Sequence, residues 1–406
     1  MIFIIVMILI GSLSFIAFYK CLTQIKNNLS PTLTFRSKQS TYSVIVTQKI
    51  KEQVGEYKPP IWYHTVFGIL SFSRDNNIQY EREVFTHADG SVVDIDWYPY
   101  HPSKVIGVNK NIKICIHFCG VGTNSETKIS KQFATTICKE GYICCIVNAR
   151  GIFSPLQNEK LWHPARTDDA HIVLNSLSTL FELNPCAQAQ IMFVGFSGGT
   201  TTVYNTLFEC FNNPLYNSFN EPNNERITSS FFLSPNVSII GAVVASYTYD
   251  YEYSVKFAEK SILGKMISRI ICYKMTQYLL DCAHVHHLLD SEIVKKCINC
   301  KCVSDFDSAI YPIHGYKSLQ EFFDRYSTFG INKVRIPWLA IQPLDDLGKN
   351  SEESIEKYIE NERVIHMAPS HGNHLGFIES DPVRTDTYLP RVSACFGNAV
   401  IELENL

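Results

Sequence analysis

The stretch QIMFVGFSGG, residues 190–199, decides the fold of this chain. It begins as an apolar run, which is typical of a strand buried in a parallel sheet, and it ends in the pattern Gly-x-Ser-x-Gly around Ser197. A serine at the apex of a sharp turn between strand and helix has a strained backbone, and the residues two positions away must lack side chains. Gly195 and Gly199 meet this requirement, and residues 200–207 can form the helix that follows. The stretch therefore predicts that Ser197 is a nucleophile.

Apolar runs and helical repeats alternate on both sides of this stretch. Seven more runs have the composition of strands: 81–87, 91–98, 112–119, 142–148, 239–246, 336–342 and 363–367. Ile129, Phe133 and Ile137 recur every four residues, as expected for one face of a helix, and residues 170–181 show a second such repeat. Helices between near-continuously apolar strands indicate a parallel sheet covered on both faces. We therefore predict an α/β fold with an eight-stranded, mostly parallel sheet and helices on both faces.

Two pairs of residues are candidates for the partners of the serine. A nucleophilic serine needs a histidine that takes its proton and a carboxylate that orients the histidine, and on this kind of sheet they follow the serine in the order acid, histidine. Asp345 and Asp346 come directly after the strand predicted at 336–342, and either can be the acid. His371 and His374 lie in the loop after the last predicted strand, and either can be the base. The other member of each pair is then a turn residue or a structural one.

The oxyanion of such a reaction needs two backbone N–H donors. One is expected at Gly198, which follows the nucleophile. The other is expected in the turn after the strand predicted at 112–119, where Val121 is the best placed residue. The same turn can also be a plain tight turn without a role in chemistry.

The composition excludes some classes of function. The 406 residues include 36 basic and 39 acidic side chains, a net charge of −3, so no basic surface for nucleic acid is expected. The 14 cysteines are irregularly spaced and many lie in apolar runs, where we expect mostly free thiols. A zinc site is suggested only by a loose group without a second Cys-x-x-Cys pair: Cys297, Cys300, Cys302, His284, His286 and His287. We predict no metal and no cofactor.

The first 19 residues contain no charged side chain and are mostly apolar. As a helix they would span about 28 Å, close to the thickness of the hydrocarbon core of a bilayer. A cleaved signal peptide would show a basic start and a small-x-small cleavage site, and neither is clear here. We predict a single-pass anchor at 1–19, a stalk and N-terminal arm at 20–60, and one domain at 61–406. A tract without strand patterns, too long for a simple loop, predicts a helical cap at about 248–333.

These features resemble a family of animal proteins, the membrane-anchored abhydrolase domain-containing proteins 1, 2 and 3. The resemblance covers about residues 63–377 and rests on these motifs: Arg82-Glu83, Asp89-Gly90, Asp96-Trp97, Gly120-Val121, Asn124-Ser125-Glu126, Asn148-Ala149-Arg150-Gly151, Gly195-Phe196-Ser197, Phe306-Asp307, Gly315-Tyr316-Lys317-Ser318, Asp345-Asp346 and His374-Leu375-Gly376-Phe377. It implies an α/β-hydrolase fold with a helical cap, anchored in the endoplasmic reticulum or plasma membrane. It also implies Ser197 as nucleophile, Asp346 as acid and His374 as base.

The resemblance further implies a serine esterase that hydrolyses lipid esters, either acylglycerols or the acyl chains of phospholipids, at a membrane. The chain departs from the family pattern after the nucleophile, at the oxyanion turn and after the aspartate pair: Gly198-Gly199-Thr200, Cys119-Gly120 and Leu347-Gly348. These differences affect the acyl pocket and the stiffness of loops more than the mechanism. Two alternatives stay open, namely transfer of the acyl group to an alcohol, as in yeast relatives, and a catalytically weak membrane receptor or scaffold.

Overall fold

The computed structural model describes residues 33–54, 77–212, 233–285, 291–372, 374–377 and 388–404. Within these ranges there are nine strands: β1 (Leu33–Arg36), β2 (Glu81–Thr86), β3 (Val92–Tyr98), β4 (Asn111–Phe118), β5 (Tyr142–Val147), β6 (Gln188–Phe196), β7 (Val237–Ala245), β8 (Trp338–Ile341) and β9 (Val364–Pro369). They form one sheet in the order β1-β9-β8-β7-β6-β4-β5-β3-β2. Neighbouring strands from β9 to β5 in this order are parallel.

The same ranges contain eleven α-helices: α1 (Thr41–Val54), α2 (Lys128–Lys139), α3 (Asp168–Glu182), α4 (Gly198–Asn212), α5 (Tyr251–Ala258), α6 (Ile262–Val285), α7 (Ser291–Ile298), α8 (Val303–Ile310), α9 (Leu319–Tyr326), α10 (Glu352–Ile359) and α11 (Tyr388–Glu404). Most of them follow a strand and precede the next, as the alternating sequence pattern predicts. The predicted α/β-hydrolase fold is therefore confirmed, with all eight predicted strands in place.

Side chains that alternate along the buried strands supply a separate core on each face of the sheet. Along β4, Ile114 and Ile116 belong to the core under α3, α4 and α10. Cys115, between them, belongs to the core under α1, α2 and α11. Both faces are thus closed by helices, and the carboxyl ends of the parallel strands are left as the edge on which a site can be built.

The sheet has one strand more than predicted, because part of the predicted stalk and arm belongs to it. β1 pairs antiparallel with β9, and Val46 and Ile50 of α1 are fully buried in the core beside α11. A strand of only four residues at a sheet edge has too short a pattern to be predicted, and its partner lies more than 300 residues away. The boundary predicted near residue 60 lies outside the described residues and stays a prediction.

Five helices, α5 to α9, lie between β7 and β8, where the sequence predicts a helical insertion. Their inner side packs on the loop that follows β5. Leu156 and Leu161 of that loop share a core with residues of α6, α7 and α8. The insertion is thereby held over the carboxyl edge of the sheet.

Among the helices in the described ranges, none is both long enough and apolar enough to cross a membrane. The anchor predicted at residues 1–19 lies outside those ranges.

Candidate active site

Ser197 lies at the sharp turn between β6 and α4, with a backbone φ of +52° in the left-handed region. Its N–H donates to the carbonyl of Ala245 in β7 at 3.0 Å, and its own carbonyl accepts the N–H of Thr200 at 2.9 Å. A Cβ atom at Gly195 would lie 2.6 Å from the carbonyl oxygen of Gly199, and one at Gly199 would overlap the carbonyl of Phe118. The turn therefore requires both glycines, for the steric reason that the sequence motif predicts.

Asp346, His374 and Ser197 form one chain of hydrogen bonds. The Nε2 atom of His374 lies 2.8 Å from the Ser197 Oγ. Its Nδ1 atom lies 3.1 and 3.3 Å from the two carboxylate oxygens of Asp346. Asp346 follows β8, His374 follows β9 and Ser197 follows β6, and the carboxyl ends of these parallel strands meet at one edge of the sheet.

The two residues that the sequence left as alternatives are close to each other. The Nδ1 atom of His371 lies 3.7 Å from a carboxylate oxygen of Asp345. The loops after β8 and β9 thus contribute two aspartate–histidine pairs. Of the two histidines, His374 is the one that makes the hydrogen bond to the Ser197 Oγ.

The two predicted oxyanion donors are neighbours. A Cβ atom at Gly198 would lie 3.2 Å from the Cγ2 of Val121 and 3.7 Å from its backbone nitrogen. A Cβ atom at Gly120 would lie 3.1 Å from the Ser197 Cβ, so the turn after β4 packs directly on the serine. Residues 120 and 121 of this turn therefore lie beside Gly198 and the Ser197 side chain.

No family model matches the chain. Similarity to individual proteins extends over most of its length. Monoacylglycerol lipase ABHD2 of Mus musculus is 21% identical over 364 residues, covering 86% of this chain and 81% of the mouse protein. Monoacylglycerol lipase ABHD2 of Danio rerio is 22% identical, covering 95% of this chain and 87% of the fish protein. Phospholipase ABHD3 of Homo sapiens is 22% identical, covering 80% and 73%.

The chain is thus similar, over most of its length, to ABHD proteins of the AB hydrolase superfamily. The family resemblance predicted from the motifs is thereby confirmed. The predicted class of enzyme, a carboxylic ester hydrolase, is confirmed by the same similarities.

The electrostatics around His374 suit a histidine that gains and loses a proton. Burial alone would lower the pKa of His374, but the charge and hydrogen bonds of Asp346 raise it above its ordinary value. Burial alone would raise the pKa of Asp346, and His374 together with the N–H of Gly348 lowers it below its ordinary value. Asp346 therefore stays ionised and favours the protonated form of His374.

Two residues to which the sequence analysis gave no role in the site, Gln342 and Gly348, hold Asp346 in place. Gln342 donates from its side-chain amide to the Asp346 carboxylate at 3.4 Å. The N–H of Gly348 donates to the other carboxylate oxygen at 3.0 Å. Gln342 is itself held by the amide of Asn350 at 2.5 Å. Polar residues directly after a buried strand are the signal that could have indicated this role.

The described residues include one group with the spacing of metal ligands, namely His87, Asp168 and Asp169. A cation already lies among them. The Nη2 atom of Arg150 lies 2.6 Å from each of the two carboxylates and 3.1 Å from the His87 Nε2. Arg150 is fully buried and also donates to the Ser91 hydroxyl. The group is therefore a buried ion-pair network.

The 13 cysteines in the described ranges are free thiols in the structure. Most are buried, as the apolar runs predict. In the run 297–302, the Cys300 thiol donates to the carbonyl of Lys296 at 3.3 Å. His286 and His287 lie outside the described residues.

Proposed function

We propose that this chain hydrolyses carboxylic esters of lipids by covalent catalysis, with Ser197 as nucleophile, His374 as general base and Asp346 as the group that orients the histidine. The observation that supports this assignment is the unbroken series of hydrogen bonds from the Asp346 carboxylate through both nitrogens of His374 to the Ser197 Oγ. A serine hydroxyl becomes nucleophilic when a base takes its proton as it attacks.

In the first half of the reaction the Ser197 Oγ attacks the carbonyl carbon of the ester while its proton passes to the His374 Nε2. The carbonyl oxygen becomes an oxyanion, which the N–H groups of Val121 and Gly198 stabilise. The tetrahedral intermediate collapses when the bond to the alcohol oxygen breaks and His374 returns the proton to that oxygen. An acyl-enzyme and a free alcohol result.

In the second half a water molecule takes the place of the alcohol. His374 removes a proton from the water, which attacks the acyl carbon, and the same two N–H groups stabilise the second oxyanion. Collapse breaks the bond to the Ser197 Oγ, which regains its proton from His374, and a fatty acid leaves. Asp346 keeps its charge throughout, because its pKa lies below the ordinary value.

Lipid esters are the proposed substrate class, as acylglycerols or as acyl chains of phospholipids. The similar proteins are named as monoacylglycerol lipase and phospholipase. The charge-free apolar segment at residues 1–19 supports a membrane location for the enzyme, in the endoplasmic reticulum or plasma membrane. An enzyme held at a bilayer meets substrates that hardly dissolve in water.

The test is release of fatty acid from vesicles that contain monoacylglycerol or phospholipid, with the full chain solubilised in mild detergent. We expect His374→Ala to abolish release and His371→Ala, on the same loop, to keep most of it. Equal loss in both variants would contradict the role of His374. No release by folded wild-type protein from either lipid class would contradict the substrate class.

A further inference from the structure

The helix α6 carries large apolar side chains on its exposed side. Ile262, Met266, Ile270 and Tyr273 are exposed by 83%, 59%, 56% and 63%. They are spaced by three or four residues and so share one face of the helix. Contiguous exposed apolar side chains mark an interaction surface, whereas isolated ones need no explanation.

On the opposite face, the buried positions in the first four turns of α6 carry small side chains. Gly264, Ser268, Cys272 and Thr276 recur every four residues there and face the insertion and the loop beneath it. A surface helix ordinarily turns its large apolar residues inward. In the first four turns of α6 four large apolar side chains are exposed instead, whereas Leu279 near its end is buried. Burial within the described residues does not account for the exposed apolar face.

The charged side chains in the first nineteen residues of this helix, 262–280, are all basic. Lys260, Lys265, Arg269 and Lys274 are exposed, and the sequence has no Asp or Glu between Glu259 and Asp281. Large apolar side chains accompanied by Lys and Arg are the composition of helices that lie in the interface of a membrane with anionic lipids.

This face lies beside the proposed active site. A Cβ atom at Gly122 would lie 3.0 Å from the Cδ of Lys274, so the lysine stem covers the residue next to Val121. On the inner side, the hydroxyl of Tyr278 donates to the carbonyl of Arg150 at 2.8 Å and accepts the N–H of Trp162 at 3.0 Å. The helix is thus fixed to the loop that borders the site, with its apolar face turned outward.

We infer that the exposed face of α6, defined by Ile262, Met266, Ile270 and Tyr273, docks on the surface of a bilayer that contains anionic lipid. The inference builds on the proposed function, because docking here would bring the site to the lipid. A second copy of the chain fits this face less well. In a two-fold contact through it, basic side chains would face basic side chains without an acidic partner from the same face.

The direct test uses the full chain reconstituted in vesicles whose acyl chains carry bromine, which quenches tryptophan at short range. Ile270→Trp adds a tryptophan to the proposed face. Leu183→Trp is the matched control, since Leu183 is 75% exposed and precedes β6 at the opposite edge of the sheet. We expect loss of the added emission for Ile270→Trp and none for Leu183→Trp, both relative to wild type.

Equal emission in brominated and ordinary vesicles for Ile270→Trp would overturn the inference. Cross-linking of two copies through position 270, without quenching, would overturn it in favour of self-association. Vesicles of zwitterionic lipid alone should give a smaller loss than anionic vesicles. A loss of emission as large as that in anionic vesicles would contradict the role assigned to the basic side chains.

A second readout separates this inference from the proposed activity. Replacing Met266 and Ile270 by Gln should lower turnover of a vesicle-borne ester by at least about tenfold, because two apolar side chains no longer enter the lipid. Turnover of a short, water-soluble ester should not change. A parallel fall on both esters would contradict the inference. The quenching result holds even for a protein without any turnover, so failure of the activity and failure of docking can be told apart.

Discussion

Two partly buried histidine–aspartate pairs in this chain have similar N···O distances and different surroundings. In one, the His87 Nε2 lies 2.9 Å from an Asp169 oxygen. In the other, the His374 Nδ1 lies 3.1 Å from an Asp346 oxygen. In the first pair the buried guanidinium of Arg150 donates a hydrogen bond to Asp169. In the second pair the His374 Nε2 makes a further hydrogen bond with the Ser197 Oγ.

The comparison shows that a histidine beside an aspartate is not by itself a sign of catalysis. Arg150 supplies a fixed positive charge, which with Arg166 lowers the pKa of Asp168 even though burial alone would raise it. Asp346 instead has His374 as its titrating partner, and the pKa of the histidine rises as a result. Arg150 thus places a fixed positive charge beside the first pair, whereas His374 in the second pair can take up and return a proton.

The largest effect is expected from Ser197→Ala. Removal of the nucleophile should lower ester hydrolysis by roughly 10⁴-fold or more, since only the oxyanion donors and substrate binding remain. The measurement is the steady-state rate on a soluble ester with purified protein. The first of the two pairs should be unaffected, so the free energy of unfolding should stay near the wild-type value. Hydrolysis that survives the substitution would contradict the assignment of Ser197 as the nucleophile and of the His374–Asp346 pair as its proton acceptor.

The next effect separates the two aspartates after β8. Asp346→Asn should lower the rate by roughly 10³- to 10⁴-fold, because the amide cannot stabilise the protonated histidine. Asp345→Asn is the matched control and should keep most of the activity. Comparable losses in the two variants would show that the loop, rather than the carboxylate of Asp346, is what the reaction needs.

The structural role of the His87–Asp169 pair and Arg150 is tested by the free energy of unfolding. Arg150→Met removes the cation from between two buried carboxylates and should lower the free energy of unfolding by about 3–5 kcal/mol. Arg335→Met, at an exposed position, is the control and should change it by less than about 0.5 kcal/mol. Denaturant unfolding of the solubilised chain measures both. If the Arg150 variant were as stable as wild type, the network would not be the structural element described here.

The smallest effect is a displacement along the pH axis. Activity requires neutral His374, and Asp346 raises the pKa of His374. The rate should therefore fall, as pH decreases, through a midpoint above the ordinary histidine value. In the residual activity of Asp346→Asn this midpoint should move to lower pH, because the raising charge is gone. A midpoint that does not move would mean that another group sets the profile.

Much of the fold follows from local patterns in the sequence. The run 190–199 predicts β6 and the turn at Ser197, because a buried strand and steric limits at two glycines leave few other conformations. β1 could not be predicted in the same way. Its four residues become a strand only by pairing with β9. Short edge strands depend on a partner that local periodicity does not reveal.

Which of the two aspartates bonds to His374 is also determined by tertiary contacts. Asp345 and Asp346 are adjacent, so spacing treats them alike. The structure distinguishes them because Gln342 and Gly348 donate to Asp346. Tertiary packing also decides which face of α6 is turned outward. Its sequence contains one stripe of large apolar side chains and another stripe of mostly small ones, and the second stripe is the buried one. Periodicity gives the two faces, and only the packing shows which of them is turned inward.

The most direct test of the account is labelling of the detergent-solubilised chain with a fluorophosphonate, which reacts with activated serines. We expect strong labelling of the wild type, none of Ser197→Ala, and nearly full labelling of Arg150→Met per folded molecule. That result would assign proton transfer to the pair at Ser197 and a structural role to the pair at Arg150. Labelling that persists in Ser197→Ala, or no labelling of folded wild-type protein, would contradict the assignment of Ser197 as the nucleophile.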